Sequence, residues 1–212
     1  MELDFTLLRP DASKQDVLQH CIIAAEKKYH AVCLHPFRLA LAREVLRGTG
    51  VGLATVVGFP FGADEPDVKL RQAQVDADEI DYVVHLAAMR DSLTDPDARK
   101  LLRREVRYLS QIGKPLKAIL ETGAFTVKEL DSLLPFVVKE LGPFLAFLKT
   151  STGYYLRDGK VVGAELDKVR LLAHHVKDTR LRIKASGGIR DRQTAEKFIA
   201  AGASRIGTSV AI

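Results

Sequence analysis

The sequence predicts a single-domain α/β protein, a (β/α)8 barrel, and three observations carry that expectation. Short apolar runs, many of them β-branched, alternate with amphipathic segments of helical period along the 212 residues, giving eight strands. Strands separated by helices pair in parallel, because each crossover returns the chain to the same end of the sheet. Polar and glycine positions fall at the C-terminal end of nearly every run, where barrels place their sites. No Gly-x-Gly-x-x-Gly follows the first strand, which disfavours an open dinucleotide-binding sheet. No linker or composition shift divides the chain, so residues 1–212 are expected to form one domain.

The elements follow in order. Residues 3–7 are the first strand, and Ser13 with Asp16 caps a helix whose stripe is Val17, Leu18, Cys21, Ile22 and Ala25. Residues 31–34 are the second strand, followed by a helix carrying Leu39, Ala42 and Leu46. Residues 52–58, rich in Val and Thr, are the third, and residues 79–85 the fourth. The next helix starts near Asp95-Pro96, since proline lacks the N–H that the first helical position leaves unused anyway. Its inward face is Ala98, Leu102, Val106 and Leu109. Residues 116–121 are the fifth strand, and Thr126 with Glu129 forms a capping box before Leu130, Leu133, Leu134 and Val137. Residues 144–150 are the sixth strand, ahead of a helix with Leu166, Val169, Ala173 and Val176. Residues 182–185 are the seventh; its helix opens near Asp191, buries Ala195, Phe198 and Ile199, and stops at Gly202. Residues 205–208 are the eighth.

Composition excludes several classes. Hydrophobic residues at 47% and charged residues at 28% suit a soluble globular chain and exclude disorder. A net charge of +5 is modest; it suits attraction of a small anion such as a sugar phosphate, with neither nucleic acid nor membrane expected as partner. The basic stretch Arg99, Lys100, Arg103, Arg104 and Arg107 is broken at helical spacing and reads as a solvated helix face. Cys21 and Cys33 are too few for a disulfide framework and are expected to be buried free thiols. Met1-Glu2-Leu3-Asp4 lacks the basic and apolar regions of a signal peptide, and no apolar stretch approaches a membrane span. A cytoplasmic setting is the expectation.

The chemistry concentrates in and after the strands. Their ends offer Asp4, Cys33, Thr55 with Gly58, Asp81, Glu121, Lys149, Lys184 and Gly207-Thr208-Ser209. Lys149 ends the apolar run 144–148 and Lys184 follows Arg182-Ile183. An ammonium facing a closed interior is costly without a partner. Either lysine could simply pair with a barrel carboxylate. Two on neighbouring strands would raise each other's cost of protonation, and a neutral amine can attack a carbonyl to form a Schiff base. Asp81 precedes an apolar run and is expected to point inward, either moving protons to substrate or serving as counter-ion to the lysines. Asp4 is the same kind of residue on the first strand, or else a surface carboxylate. Gly187, Gly188, Gly207 and Ser209 lie in the last two strand-end loops, where backbone N–H groups bind phosphate; the glycines could equally serve turns alone. His35 and His85 end strands and are candidates for the pocket, whereas His174 and His175 read as surface or capping residues. No residue set has metal-ligand spacing, and neither metal nor other cofactor is expected.

These segments resemble one family. Gly58-Phe59-Pro60-Phe61-Gly62, Asp78-Glu79-Ile80-Asp81, Lys149-Thr150-Ser151-Thr152-Gly153, Lys184-Ala185-Ser186-Gly187-Gly188-Ile189-Arg190 and Gly207-Thr208-Ser209 are similar to deoxyribose-phosphate aldolases, in order and over nearly the whole chain. The opening Leu3-Asp4-Phe5-Thr6-Leu7-Leu8-Arg9-Pro10 resembles that family's first strand. The resemblance implies reversible cleavage of 2-deoxy-D-ribose 5-phosphate to acetaldehyde and D-glyceraldehyde 3-phosphate. It implies that Lys149 forms the Schiff base, that Lys184 lowers its pKa, that Asp81 takes part in proton transfer with Asp4 in support, and that Gly187, Gly188, Gly207 and Ser209 hold the phosphate. A homo-oligomer is compatible with it. The sequence departs from the pattern at Phe5, His85, Asp76 and Val210, in a shortened segment between Gly62 and Ala77, in a glycine-poor loop at residues 154–158, and in lacking the tail that often follows the last strand. A lysine aldolase with another acceptor, a sugar-phosphate isomerase or epimerase barrel, and a non-catalytic phosphate-binding domain are the alternatives. The last two have no need of two lysines.

Overall fold

The computed structural model describes all 212 residues. The strands are β1 (Glu2–Leu7), β2 (Ala31–Leu34), β3 (Gly52–Val57), β4 (Glu79–Val83), β5 (Leu116–Ile119), β6 (Phe147–Lys149), β7 (Leu156–Arg157), β8 (Lys160–Val161), β9 (Arg182–Ser186) and β10 (Arg205–Thr208). Eight of them close a parallel barrel in the order β1-β10-β9-β6-β5-β4-β3-β2. The other two, β7 and β8, make an antiparallel hairpin in the long loop after β6. The helices are α1 (Lys14–Glu26), α2 (Leu39–Leu46), α3 (Pro66–Ala73), α4 (Leu86–Asp91), α5 (Pro96–Ser110), α6 (Val127–Phe136), α7 (Leu166–Val176) and α8 (Arg192–Ala200). The eight-stranded expectation holds, and the hairpin is additional to it.

Strand alternation sorts the side chains into two environments. Leu3, Phe5, Val32, Leu34, Leu53, Ile80, Tyr82, Leu148, Ile183 and Ile206 face the helices and belong to a core of 48 buried residues. Each fully buried Leu, Ile or Val there stabilises the fold by about 1.5–3 kcal/mol relative to exposure. The alternate positions face the barrel axis. On one side these are small and apolar, with Ala31, Cys33, Ala54 and Val56 packed beneath Leu8. On the other side they are charged.

The caps predicted from sequence are present. Ser13 with Asp16 and Thr126 with Glu129 form capping boxes, while Asp95 and Asp191 accept from the first turns of α5 and α8. Three strand boundaries differ by two residues or more, and others by one. The sixth strand starts at Phe147, because residues 142–144 are a 3-10 turn; β4 ends at Val83 and β5 at Ile119. Helices α3 and α4 have no counterpart in the sequence expectation. The apolar periodicity of α3 is hidden because a lysine sits at its buried centre. Lys69 donates to the carbonyls of Gly62 and Val83, each at 2.8 Å, and to the Glu105 carboxylate on α5. Lys69 and Glu105 are both fully buried, so the inward face of α5, otherwise apolar, carries one acidic residue. At Gly58, φ is +63° and a Cβ would stand 2.7 Å from Lys69 Cε, so that pair and this glycine together hold the loop after β3.

Candidate active site

The barrel register places the charged residues. Lys149 on β6 lies opposite Lys184 on β9, and Lys184 opposite Arg205 on β10. Lys117 on β5 lies opposite Asp81 on β4, and Asp4 on β1 opposite Gly207 on β10. All of these face the axis, and their ionic ends converge. Asp81 is the hub. Its Oδ2 accepts from Lys149 Nζ at 2.9 Å and from Lys184 Nζ at 2.8 Å, and its Oδ1 accepts from Lys117 Nζ at 2.7 Å. Lys184 also donates to Asp4. Lys117 lies 2.6 Å from Glu79, which Arg205 approaches at 2.6 Å as well. At the lower rim Glu2 contacts Arg205 at 2.7 Å and Arg182 at 3.3 Å. Both arginines stack on the Phe147 ring.

Lys149 and Lys184 therefore share one carboxylate oxygen. Five cations (Lys117, Lys149, Lys184, Arg182, Arg205) meet four carboxylates (Glu2, Asp4, Glu79, Asp81), leaving one positive charge in surplus. Among the three lysines, Lys149 alone contacts a single carboxylate.

The electrostatics of the cage differ from the expectation in one respect. The two lysines do not simply disfavour each other's charge. Burial opposes a charge on Lys184, but Asp4 and Asp81 outweigh it and push its pKa well above the usual lysine range. Lys117 is raised in the same way: burial acts against its charge and Asp81 overcomes it. Burial works against ionisation of Asp81, yet Lys117, Lys149 and Lys184 hold it far below the ordinary carboxylate range. Asp4 is lowered against burial, chiefly by Lys184. Asp81 therefore stays ionised at neutral pH and acts as an acceptor. Cys33, in the same interior, is pushed up to about 11 by burial and stays a thiol.

The linkage to stability has a definite sign. Carboxylates with depressed folded values contribute stability that is complete above their unfolded value of about 3.9. That contribution is lost as pH falls through the depressed folded values of Asp4 and Asp81. Lys184, raised when folded, contributes fully below its unfolded value of about 10.4 and loses that contribution only above it. Thermal melts are expected to show a flat midpoint from about pH 5 to about pH 9 from these groups, with loss below about pH 4. Burial pushes the His20 ring down to about 4, so His20 by itself lowers the midpoint as pH falls from about 6.5. A midpoint with no further loss below about pH 4 would contradict the ionisation scheme of the cage.

A cavity of about 600 Å3 opens above the cage. Its walls come from the C-terminal ends of β1, β6, β9 and β10 and from the hairpin. Lys149 is the one lysine on its surface; Lys117 and Lys184 are sealed below. Gly187, Gly188, Gly207 and Ser209 all border it, together with Arg190 and Arg9. Two glycines have clear packing reasons. A Cβ on Gly207 would meet Lys184 Cε at 3.1 Å, so the smallest residue lets that lysine rise beneath the cavity floor. Gly187 (φ +90°) packs against Gly163 of the hairpin loop, and a Cβ on Gly163 would lie 2.2 Å from the Gly187 carbonyl oxygen. Gly163 is a cavity residue that the sequence reading did not single out.

Other strand-end candidates lie outside the cavity. Thr55 turns outward and donates to Leu34 O at 2.8 Å. His35 Nε2 sits 2.9 Å from Leu8 O, and the His85 ring accepts from Ala88 N to cap α4. Glu121 follows β5 in a left-handed conformation (φ 49°) and turns its carboxylate to the backbone N–H and hydroxyl of Thr152. Burial raises its pKa, against the opposing hydrogen bonds from Thr152. Lys117, Glu79 and Arg205 were missed in the sequence. The alternation rule reaches them, since Lys117 shares a face with Ile119, Glu79 with Asp81, and Arg205 with Gly207.

Comparisons with known proteins find the family that the motifs resemble. The chain is 35% identical over 211 residues to the deoxyribose-phosphate aldolase of Desulfitobacterium hafniense, covering 98% of this chain and 92% of that one. It is 38% identical over 213 residues to the deoxyribose-phosphate aldolase of Thermus thermophilus, covering 98% and 90%. Among solved structures, the tetrameric deoxyribose phosphate aldolase of Aeropyrum pernix superposes with a TM-score of 0.81 at 32% identity, covering 98% of this chain and 85% of that one. No family model matches the chain.

Proposed function

The chain belongs to the deoxyribose-phosphate aldolase family, and on that premise we propose that it cleaves 2-deoxy-D-ribose 5-phosphate reversibly through a Schiff base on Lys149. The observation that carries the residue assignment is that Lys149 alone of the three caged lysines reaches the cavity. The unprotonated Lys149 amine attacks the aldehyde carbon of the open-chain sugar, and loss of water leaves an iminium. The hydroxyl on the third carbon gives up its proton as the bond between the second and third carbons breaks. The bond's electron pair moves into the iminium, releasing glyceraldehyde 3-phosphate and leaving an enamine. Protonation of the enamine and addition of water then free acetaldehyde and restore the amine.

In this scheme Lys184 supplies a fixed positive charge beside the reacting nitrogen. Asp81 aligns both amines and accepts their hydrogen bonds, and it stands where it can take up and return the substrate's proton, directly or through water. Asp4 holds Lys184 from the opposite side. Gly187, Gly188, Gly207 and Ser209 would receive the phosphate on backbone N–H groups, with Arg190 at the same edge of the cavity.

The Aeropyrum pernix relative is tetrameric, and we read this chain as a homo-oligomer as well. Two buried free thiols fit a reducing, cytoplasmic setting. No helix is long and apolar enough to cross a membrane.

Borohydride reduction in the presence of acetaldehyde tests the reading. A two-carbon mass increase is expected, and peptide mapping should place it on Lys149. A folded protein that gains no mass, or that is labelled at Lys117 or Lys184 instead, would refute the assignment.

A further inference from the structure

We propose that Tyr154 is a specificity-determining residue that limits the width of the aldehyde accepted beside Lys149; this rests on the Schiff-base reading above. The cavity occupies only one half of the barrel mouth. It is lined from β6, β9, β10 and β1, which are contiguous in the barrel, and by no residue from the ends of β2 to β5. Tyr154 explains the division. It follows β6, one outer member of that group of four, and its hydroxyl donates to the Leu8 carbonyl at 2.8 Å, just beyond β1, the other outer member. The phenol thus spans the mouth and separates the glycine loops from the β2–β5 side.

The wall is supported from behind and below. Phe59 packs edge-on against the Tyr154 ring at 5.4 Å, and His35 packs on Phe59 at 6.0 Å. The same Leu8 carbonyl lies 2.9 Å from His35 Nε2. At the base of the turn, Glu121 holds Thr152, and Thr152 Oγ1 accepts from Tyr154 N at 3.1 Å. A buried carboxylate thereby acts, through Thr152, as a positioning residue for the tyrosine. A ring fixed at both ends offers a rigid boundary where an exposed loop would otherwise yield.

The test compares acceptors, with acetaldehyde as donor. In wild type, kcat/KM for phenylacetaldehyde should be far below that for glyceraldehyde 3-phosphate. Tyr154→Ala is expected to raise the phenylacetaldehyde-to-glyceraldehyde 3-phosphate ratio by about tenfold or more, in line with the 10–200-fold that small changes in pocket size bring. Tyr154→Phe keeps the ring and its packing on Phe59 but loses the bond to Leu8, and should raise the ratio clearly less than Tyr154→Ala does. An unchanged ratio in Tyr154→Ala, with Lys149 still labelled by acetaldehyde and borohydride, overturns the wall while leaving the aldolase reading intact. Equal changes in both variants also overturn it, because they would reflect a loosened loop. If Tyr154→Ala does not fold, Tyr154→Leu carries the comparison with the same expectations. A wild type without label sinks the aldolase reading and this inference with it.

Discussion

Lys149→Ala is expected to lose activity by on the order of 10^4-fold or more while keeping its fold and melting within a few degrees of wild type. The loss follows from removing the nucleophile, for which no other amine substitutes. Lys117 and Lys184 lie close by but have no surface in the cavity. The retained stability follows from the charge count. Asp81 keeps Lys117 on Oδ1 and Lys184 on Oδ2 when Lys149 is gone, and the interior loses its surplus cation. Activity against 2-deoxyribose 5-phosphate, paired with a thermal melt, checks both halves. A variant with residual turnover near wild type would remove Lys149 from the chemistry. One that unfolds would show that Lys149 supports the cage rather than standing apart from it.

Asp81→Leu should differ from Lys149→Ala, with stability lost together with activity. The substitution leaves Lys117, Lys149 and Lys184 converging on an apolar side chain, in a region where Asp81 and two of those lysines have no exposed surface. Breaking a buried ionic contact by removing one partner costs about 3–5 kcal/mol. For a chain of this length that lowers the melting temperature by on the order of 10 °C. The double variant Asp81→Leu with Lys117→Leu removes one charge of each sign. It should recover part of the lost stability, because neighbouring charges couple non-additively. Full retention of the wild-type melt in Asp81→Leu would show that the lysines find other partners and that the carboxylate is not their hub.

Much of this site was legible before any coordinates, and the parts that were not have specific causes. Lys149, Lys184, Asp81 and Asp4 stood out because charged residues interrupt apolar strands, and all four face the axis. Lys117 was passed over although Leu116-Lys117-Ala118-Ile119 carries the same signal. Its neighbours on the strand drew it into an apolar run, and no motif marked it. Helix α3 escaped notice because its buried centre is Lys69, whose partner Glu105 lies 36 residues away. Hydropathy patterning treats a lysine as solvent-facing, and only a contact distant in sequence reverses that.

The sequence by itself determined the alternation of eight strands with helices, the caps that start several helices and the identities of the residues at the strand ends, since these depend on side-chain periodicity and local hydrogen bonding. Tertiary structure alone decided that Asp81 joins three lysines, that Lys149 is the one exposed to the cavity, and that Tyr154 reaches Leu8, 146 positions earlier. Those outcomes depend on strand register and barrel closure, which set distances between residues whose separation along the chain carries no information about them.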